Sequence, residues 1–106
     1  MILTGHTYPA DVQIKSPMGW IKVDAQLHIE SETAFSGEAK LLGFTVPLTD
    51  CVRDGAHFRF AASPKLPFGV LRVEIEAAVA ENGAVTGVAN APRHRPMEIT
   101  GQLFLG

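Results

Sequence analysis

The chain has 106 residues, 46% apolar and 19% charged, with a net charge of −2 and a pI near 6.0. This is the composition of one globular domain, residues 1–106, rather than of a disordered chain, and it lacks the basic balance that non-specific nucleic-acid binding requires. No apolar run approaches the roughly 20 residues of a membrane-spanning helix, the first dozen residues do not read as a signal peptide, and the lone Cys51 excludes an internal disulfide, so the expected location is cytoplasmic.

The elements in chain order are short and alternate with period two, as half-buried strands do. Residues 10–15 set Ala10, Val12 and Ile14 against Asp11, Gln13 and Lys15. The turn "SPMG" follows, and 20–30 then alternates Ile21, Val23, Ala25, Leu27 and Ile29 against Trp20, Lys22, Asp24, Gln26, His28 and Glu30. Weaker strands fit 34–41 and 45–51; after Asp54-Gly55, the stretch 57–62 places Phe58 and Phe60 opposite His57 and Arg59. A second Pro-x-Gly turn, "LPFG", leads into 70–80, where Leu71, Val73, Ile75, Ala77 and Val79 share a face. Asn82-Gly83 marks a hairpin, and strands over 84–90 and 97–105 complete the series. "RVEIEAAVAE" contains good helix formers, but its alternation and the Asn-Gly after it favour a strand.

Offset by 50 positions, residues 17–40 align without a gap onto 67–90. Pro17, Gly19, Val23, Ala34, Gly37 and Ala39 recur as Pro67, Gly69, Val73, Ala84, Gly87 and Ala89. The expected fold is therefore all-β, an eight-stranded antiparallel up-and-down barrel from two four-strand repeats at about 7–50 and 57–105, with a flattened barrel or two-sheet sandwich as the alternative. Pro9 and Pro47 cannot donate to a ladder, so Pro9 marks the contact of the first and last strands as the weak seam. The inward set includes many small residues, among them Ala25, Gly37, Ala77, Gly87 and Gly101; these either leave room for a ligand or let the walls approach, while Phe35, Phe58 and Phe60 fill space.

In such an order the turns alternate between two ends. One end receives "ESET", "RDG" and "ENG", which are polar and tight. The other receives longer, Pro-bearing turns that carry Met18, Leu42, Phe44, Leu66 and Phe68, with Trp20 just below, beside Arg93, His94 and Arg95. An exposed apolar patch signals a partner or ligand, and the basic triplet would attract an anion; alternatively the apolar tips fold inward and plug the barrel.

Catalytic signals are sparse. His6, His28, His57 and His94 have no metal-ligand spacing, so no metal is expected, and no phosphate or dinucleotide loop is present. Cys51 has no base beside it in sequence and reads as an inert thiol. The acids Asp24, Glu74 and Glu76 face outward, and Asp50 is the one acid whose phase allows an inward side chain. Asp50, His6 and His94 are thus the only candidates for acid–base work.

The segments "KSPMG", "FSGEA", "TVPLTD", "RDGAHFRF" and "PFGVLRVEIEAAVAENGAVTGVA" resemble a small bacterial β-domain of uncharacterised function with repeated [ST]-P-[MF]-G turns. The resemblance covers about residues 7–104 and implies a lipocalin-like or streptavidin-like barrel, found alone or attached to oxidoreductases or hydrolases, with no cofactor and no catalytic residue to carry over. "APRHRP" departs from its turn pattern. The expected function is a non-enzymatic binding or accessory barrel that takes a small apolar, aromatic or anionic ligand, or a partner protein, through Met18, Trp20, Phe44, Leu66, Phe68, Arg93, His94 and Arg95. The alternatives are a cofactor-free isomerase, cyclase or lyase with its pocket in the barrel, and a homodimer that pairs the apolar rims.

Overall fold

The structure is a computed structural model that describes residues 2–17, 19–66 and 69–105, with only the backbone of Leu66. Among these residues there are eleven strands and no helix: β1 (Thr7–Ser16), β2 (Gly19–Ile29), β3 (Phe35–Leu41), β4 (Phe44–Pro47), β5 (Thr49–Asp54), β6 (His57–Ala62), β7 (Lys65–Leu66), β8 (Gly69–Val70), β9 (Val73–Val79), β10 (Ala84–Asn90) and β11 (Met97–Leu103). Nine of them form one antiparallel sheet in the order β4-β3-β2-β1-β11-β10-β9-β6-β5, and β7 and β8 form a small separate ribbon.

The two outer strands, β4 and β5, follow one another in the chain with only Leu48 between them, so the sheet curls back on itself into a nearly closed barrel. Leu48 N donates to Gly37 O at 2.9 Å, Arg53 N donates to Thr33 O at 3.0 Å, and Ala34 bridges Val52. These bonds tie part of the edge that an open sheet would leave exposed.

The sheet has nine strands where eight are expected, because the stretch 45–51 divides. Its first part pairs with β3 and its second with β6. The cause is local: Asp50 takes φ 53° and the β5–β6 register shifts between Thr49 and Val52, a bulge that breaks the ladder. The expected strand 70–80 starts later, at Val73, because Gly69 and Val70 pair with β7 instead.

Pro9 does not open the seam that its chemistry predicts. β1 and β11 pair from Ala10–Leu103 to Ile14–Ile99, and Pro9 lies at the end of that ladder, where its carbonyl accepts from Phe104 N at 2.9 Å. Its missing N–H therefore falls where the ladder ends. The incomplete part of the wall lies between β3 and β5.

The core is built around Phe35, whose ring meets Phe58 at 5.0 Å and Phe60 at 5.8 Å, both edge-on. Phe58 is 2% and Leu103 1% exposed, and no polar residue is buried among those described. The small inward residues serve backbone approach. A Cβ on Gly37 would fall on the Gln26 carbonyl and lie 3.2 Å from Leu48 Cδ1, and one on Gly87 would fall on the Glu76 carbonyl, so only glycine lets the adjacent strands coil this closely.

Candidate functional site

The antiparallel registers sort the turns between two ends. Ser16 pairs with Gly19, Leu41 with Phe44 and Lys65 with Val70 at one end, while Ile29 pairs with Phe35, Asp54 with His57 and Val79 with Val85 at the other. Among the described residues, the first end comprises 17, 42–43, 63–66, 69–72 and 91–96. These segments contain Lys65, Arg72, Arg93, His94 and Arg95 and no carboxylate. The turns of the second end carry Glu30, Glu32 and Glu81, with Asp54 beside Gly55, and the bases near them are Arg53, which is bonded to the Ser31 and Gly55 carbonyls, and the histidines His6 and His57. A chain with a net charge of −2 is therefore strongly polarised along its strands.

Among the described residues, four of the eight exposed large apolar side chains lie with the cations, while Leu3 and Phe104 are exposed toward the acidic end and Val52 and Val88 along β5 and β10. Trp20, Leu42, Phe44 and Val70 are 50%, 63%, 60% and 62% exposed, and all belong to the cationic end. Arg93, His94 and Arg95 are exposed there too. Met18 and Phe68, two of the expected rim residues, lie outside the described residues, as does the Leu66 side chain. Val70 and Lys65 extend the rim beyond the residues read from the sequence. Sorting charges by alternate turns finds Lys65 and the acidic opposite end, whereas Val70 reads in the sequence as the start of a regular strand.

The backbone adds a second mark. Among the described residues three non-glycine residues have positive φ, and two of them, Leu42 at 50° and Arg93 at 64°, lie in these turns. Leu42 and Gly43 (φ 82°) form a two-residue hairpin loop with the φ signature of a type I′ turn, which favours Asn-Gly. An exposed leucine in that conformation costs about 1 kcal/mol and recovers none of it by burial. Strain of this kind is typical of functional positions.

The three acid–base candidates do not assemble. Asp50 is not inward: the bulge turns it into solvent, where its carboxylate meets Arg72 Nη2 at 2.8 Å. His6 is exposed at the acidic end, stacked on Tyr8 at 6.1 Å, and His94 is exposed at the cationic end. Cys51 is half-buried, and burial, followed by the charges of Asp50 and Glu30, raises its thiol pKa to about 11. It stays protonated and unreactive near neutral pH.

Two open grooves lie along the strands, both reaching the outer side of the sheet. One, of about 420 Å³, includes Arg53, His57, Arg59, Glu76, Thr86 and Val88; the other, of about 550 Å³, includes Pro9, Asp11, Gln26, Glu38, Lys40 and Phe104. Neither includes Asp50, His6 or His94. At the edge of the second groove, Thr7 Oγ1 meets His28 Nδ1 at 2.8 Å, and His28 Nε2 lies 3.5 Å from Oε2 of the groove residue Glu38. This chain runs across three adjacent strands with Thr7 in solvent and outside both grooves, so it reads as a cross-strand surface network. Among the described residues no group of three His, Cys, Asp or Glu could hold a metal.

Comparison of the chain with protein-family models, with curated proteins and with solved structures finds no match in any of the three. Of the resemblance drawn from the turn motifs, the barrel-like all-β fold is the part the structure supports.

Proposed function

We propose that this protein is a non-enzymatic binding or accessory barrel and that its cationic, apolar end is the contact surface. The observation that carries this reading is the coincidence, on and beside turns that lack a carboxylate, of exposed Trp20, Leu42, Phe44 and Val70 with Lys65, Arg93 and Arg95. Such a surface suits a ligand or partner that is apolar and negatively charged. The isomerase, cyclase or lyase reading needs an acid–base group in a pocket, and no observation favours it. An attachment to oxidoreductases or hydrolases would fit the accessory role.

The test uses 1-anilinonaphthalene-8-sulfonate, an apolar aromatic anion, with Trp20 as reporter because it is the only tryptophan. Binding should change Trp20 emission and weaken at least ~10-fold in Arg93→Glu/Arg95→Glu. A Trp20 signal indifferent to the probe, or to the charge reversal, would overturn the reading.

We also infer that the barrel is a doubled meander, with repeats at about 7–50 and 57–105. Register supports this. Thr7 pairs with His28 and His57 with Ala78; Asp24 pairs with Lys40 and Glu74 with Asn90. Ile29 N donates to His6 O, and Val79 N to Ala56 O, both at 2.9 Å. Gly37 lies against the Gln26 carbonyl as Gly87 lies against that of Glu76. Each second member stands 50 residues after the first. Relatives of the chain should keep Gly37 and Gly87 together at this spacing; relatives with a glycine at one position and a large residue at the other would remove the inference.

A further inference from the structure

We infer that the occupant of the cationic end is the surface of an anionic lipid bilayer, which the barrel meets end-on. This rests on the proposed contact surface and names its partner. Three features of the molecule distinguish a bilayer from a protein.

The first is size. The 11-residue β2, at roughly 3.3 Å per residue, fits only along the 38 Å axis of a body measuring 38 × 23 × 22 Å. The end is thus a narrow face of 23 × 22 Å, whereas each side of a standard protein interface buries about 800 Å² of accessible surface. A bilayer sets no such minimum, because each inserted apolar side chain and each cation near the surface adds its own increment.

The second is shape. The apolar groups are carried on and beside separate turns: Trp20 after the β1–β2 turn, Leu42 and Phe44 at the β3–β4 turn, Val70 on the β7–β8 ribbon. Separate projections of Trp, Phe, Leu and Val suit the interfacial layer of a bilayer, where aromatic rings and aliphatic tips are both accommodated.

The third is charge. Lys65, Arg93 and Arg95 make no ion pair among the described residues, and at the adjoining strand ends Lys15 and Lys40 stand exposed together with Glu74 and Glu98, which leaves the cations in excess there. Arg72 is neutralised by Asp50 and Glu74. Glu30, Glu32, Asp54 and Glu81 lie at the far end, so an anionic surface attracts one end and repels the other. The field itself sets the end-on orientation, and attraction should decay over the Debye length of roughly 10 Å in 0.1 M salt.

The experiment adds vesicles to the whole protein and reads Trp20 emission and co-sedimentation. Vesicles of phosphatidylcholine with roughly a third phosphatidylglycerol should shift the emission to the blue and pull the protein down, pure phosphatidylcholine should do neither, and salt should weaken the effect. Arg93→Glu/Arg95→Glu and Leu42→Ser/Phe44→Ser should each reduce partition at least ~10-fold with unchanged far-ultraviolet circular dichroism, while Glu30→Lys/Glu81→Lys at the far end should not reduce it. Absence of partition overturns the inference, and so does sedimentation without a Trp20 shift. A Trp20 shift that grows with protein concentration in the absence of lipid overturns it in favour of a second copy. If vesicles fail while 1-anilinonaphthalene-8-sulfonate still binds, the bilayer inference alone falls; if both fail, the contact surface falls with it.

Discussion

The acidic and cationic ends are both made of turns between antiparallel strands, yet they use their side chains in opposite ways. At the acidic end the side chains hold the backbone. Ser31 Oγ accepts from Thr33 N at 3.2 Å and Ala34 N at 3.0 Å, and Asn82 Oδ1 accepts from Ala84 N at 3.0 Å. Arg53 donates to the carbonyls of Ser31 and Gly55, both at 3.1 Å, and lies 5.6 Å over the Phe58 ring. At the cationic end Ser16 Oγ donates to Gly19 O at 2.7 Å, and backbone bonds such as His94 N to Ala91 O at 3.2 Å close the turns. The large side chains there are in solvent, two of them on strained backbone. One end is organised for the fold. The other keeps exposed basic groups together with Trp20, Leu42, Phe44 and Val70, the surface we propose as the contact.

The largest effects should separate these two uses of an aromatic ring. Phe58→Ala removes a ring that is 2% exposed and packed edge-on to Phe35, and should cost about 3–5 kcal/mol in chemical denaturation, a large share of the ~5–15 kcal/mol of a domain. Trp20→Ala removes a larger but half-exposed ring at the cationic end and should cost less, about 1 kcal/mol. Comparable losses would mean that Trp20 belongs to the fold, and the contrast between the ends would fail.

How much of this the sequence discloses follows from what carries the signal. Alternation in 20–30 and 57–62 locates β2 and β6 and their buried faces, because a half-buried strand imposes period two. The break at Leu48 and Asp50 is not legible, since "TVPLTDC" alternates acceptably and a bulge arises from the meeting of two registers far apart in sequence. Asp50 was misplaced for the same reason: one extra residue reverses which face a side chain takes. Pro9 is a sound warning with the wrong outcome, because the sequence does not say where a ladder ends. The exposed Trp20 and Phe44 and the triplet Arg93–Arg95 were legible from turn parity, whereas the positive φ of Leu42 is a backbone property with no residue-level sign.

Next in size are the turn side chains of the acidic end. Ser31→Ala and Asn82→Ala each remove acceptors for turn N–H groups and should cost about 1 kcal/mol without changing vesicle partition. Loss of partition in either would extend the contact surface across the molecule and erase the distinction. Between the ends, Cys51 gives a pH test. Its folded thiol holds the proton more tightly than its ordinary value of 9.0 implies, to about 11. Its contribution to stability is therefore complete below about 9 and declines as pH rises toward about 11. Cys51→Ala should flatten the stability profile over that window, and thiol labelling of the native protein at pH 8 should be at least ~10-fold slower than that of a free cysteine. Fast labelling would place Cys51 on an exposed surface and remove the burial that raises its pKa.

The smallest stability effect discriminates most sharply. Leu42→Asn converts the β3–β4 loop to Asn-Gly, the pair that a type I′ turn favours. Asn tolerates the φ of 50° found at this position better than Leu does. Because Leu42 is 63% exposed, no core contact is lost, and the variant should be more stable by about 0.5–1 kcal/mol. The same change removes an apolar tip from the cationic end, so partition onto anionic vesicles should fall as stability rises. Opposite signs in the two measurements are what a strained contact residue requires. If stability also fell, Leu42 would be packing against the protein and the strain would have a structural cause; if partition were unchanged, the tip at the β3–β4 turn would not be among the groups that touch the bilayer.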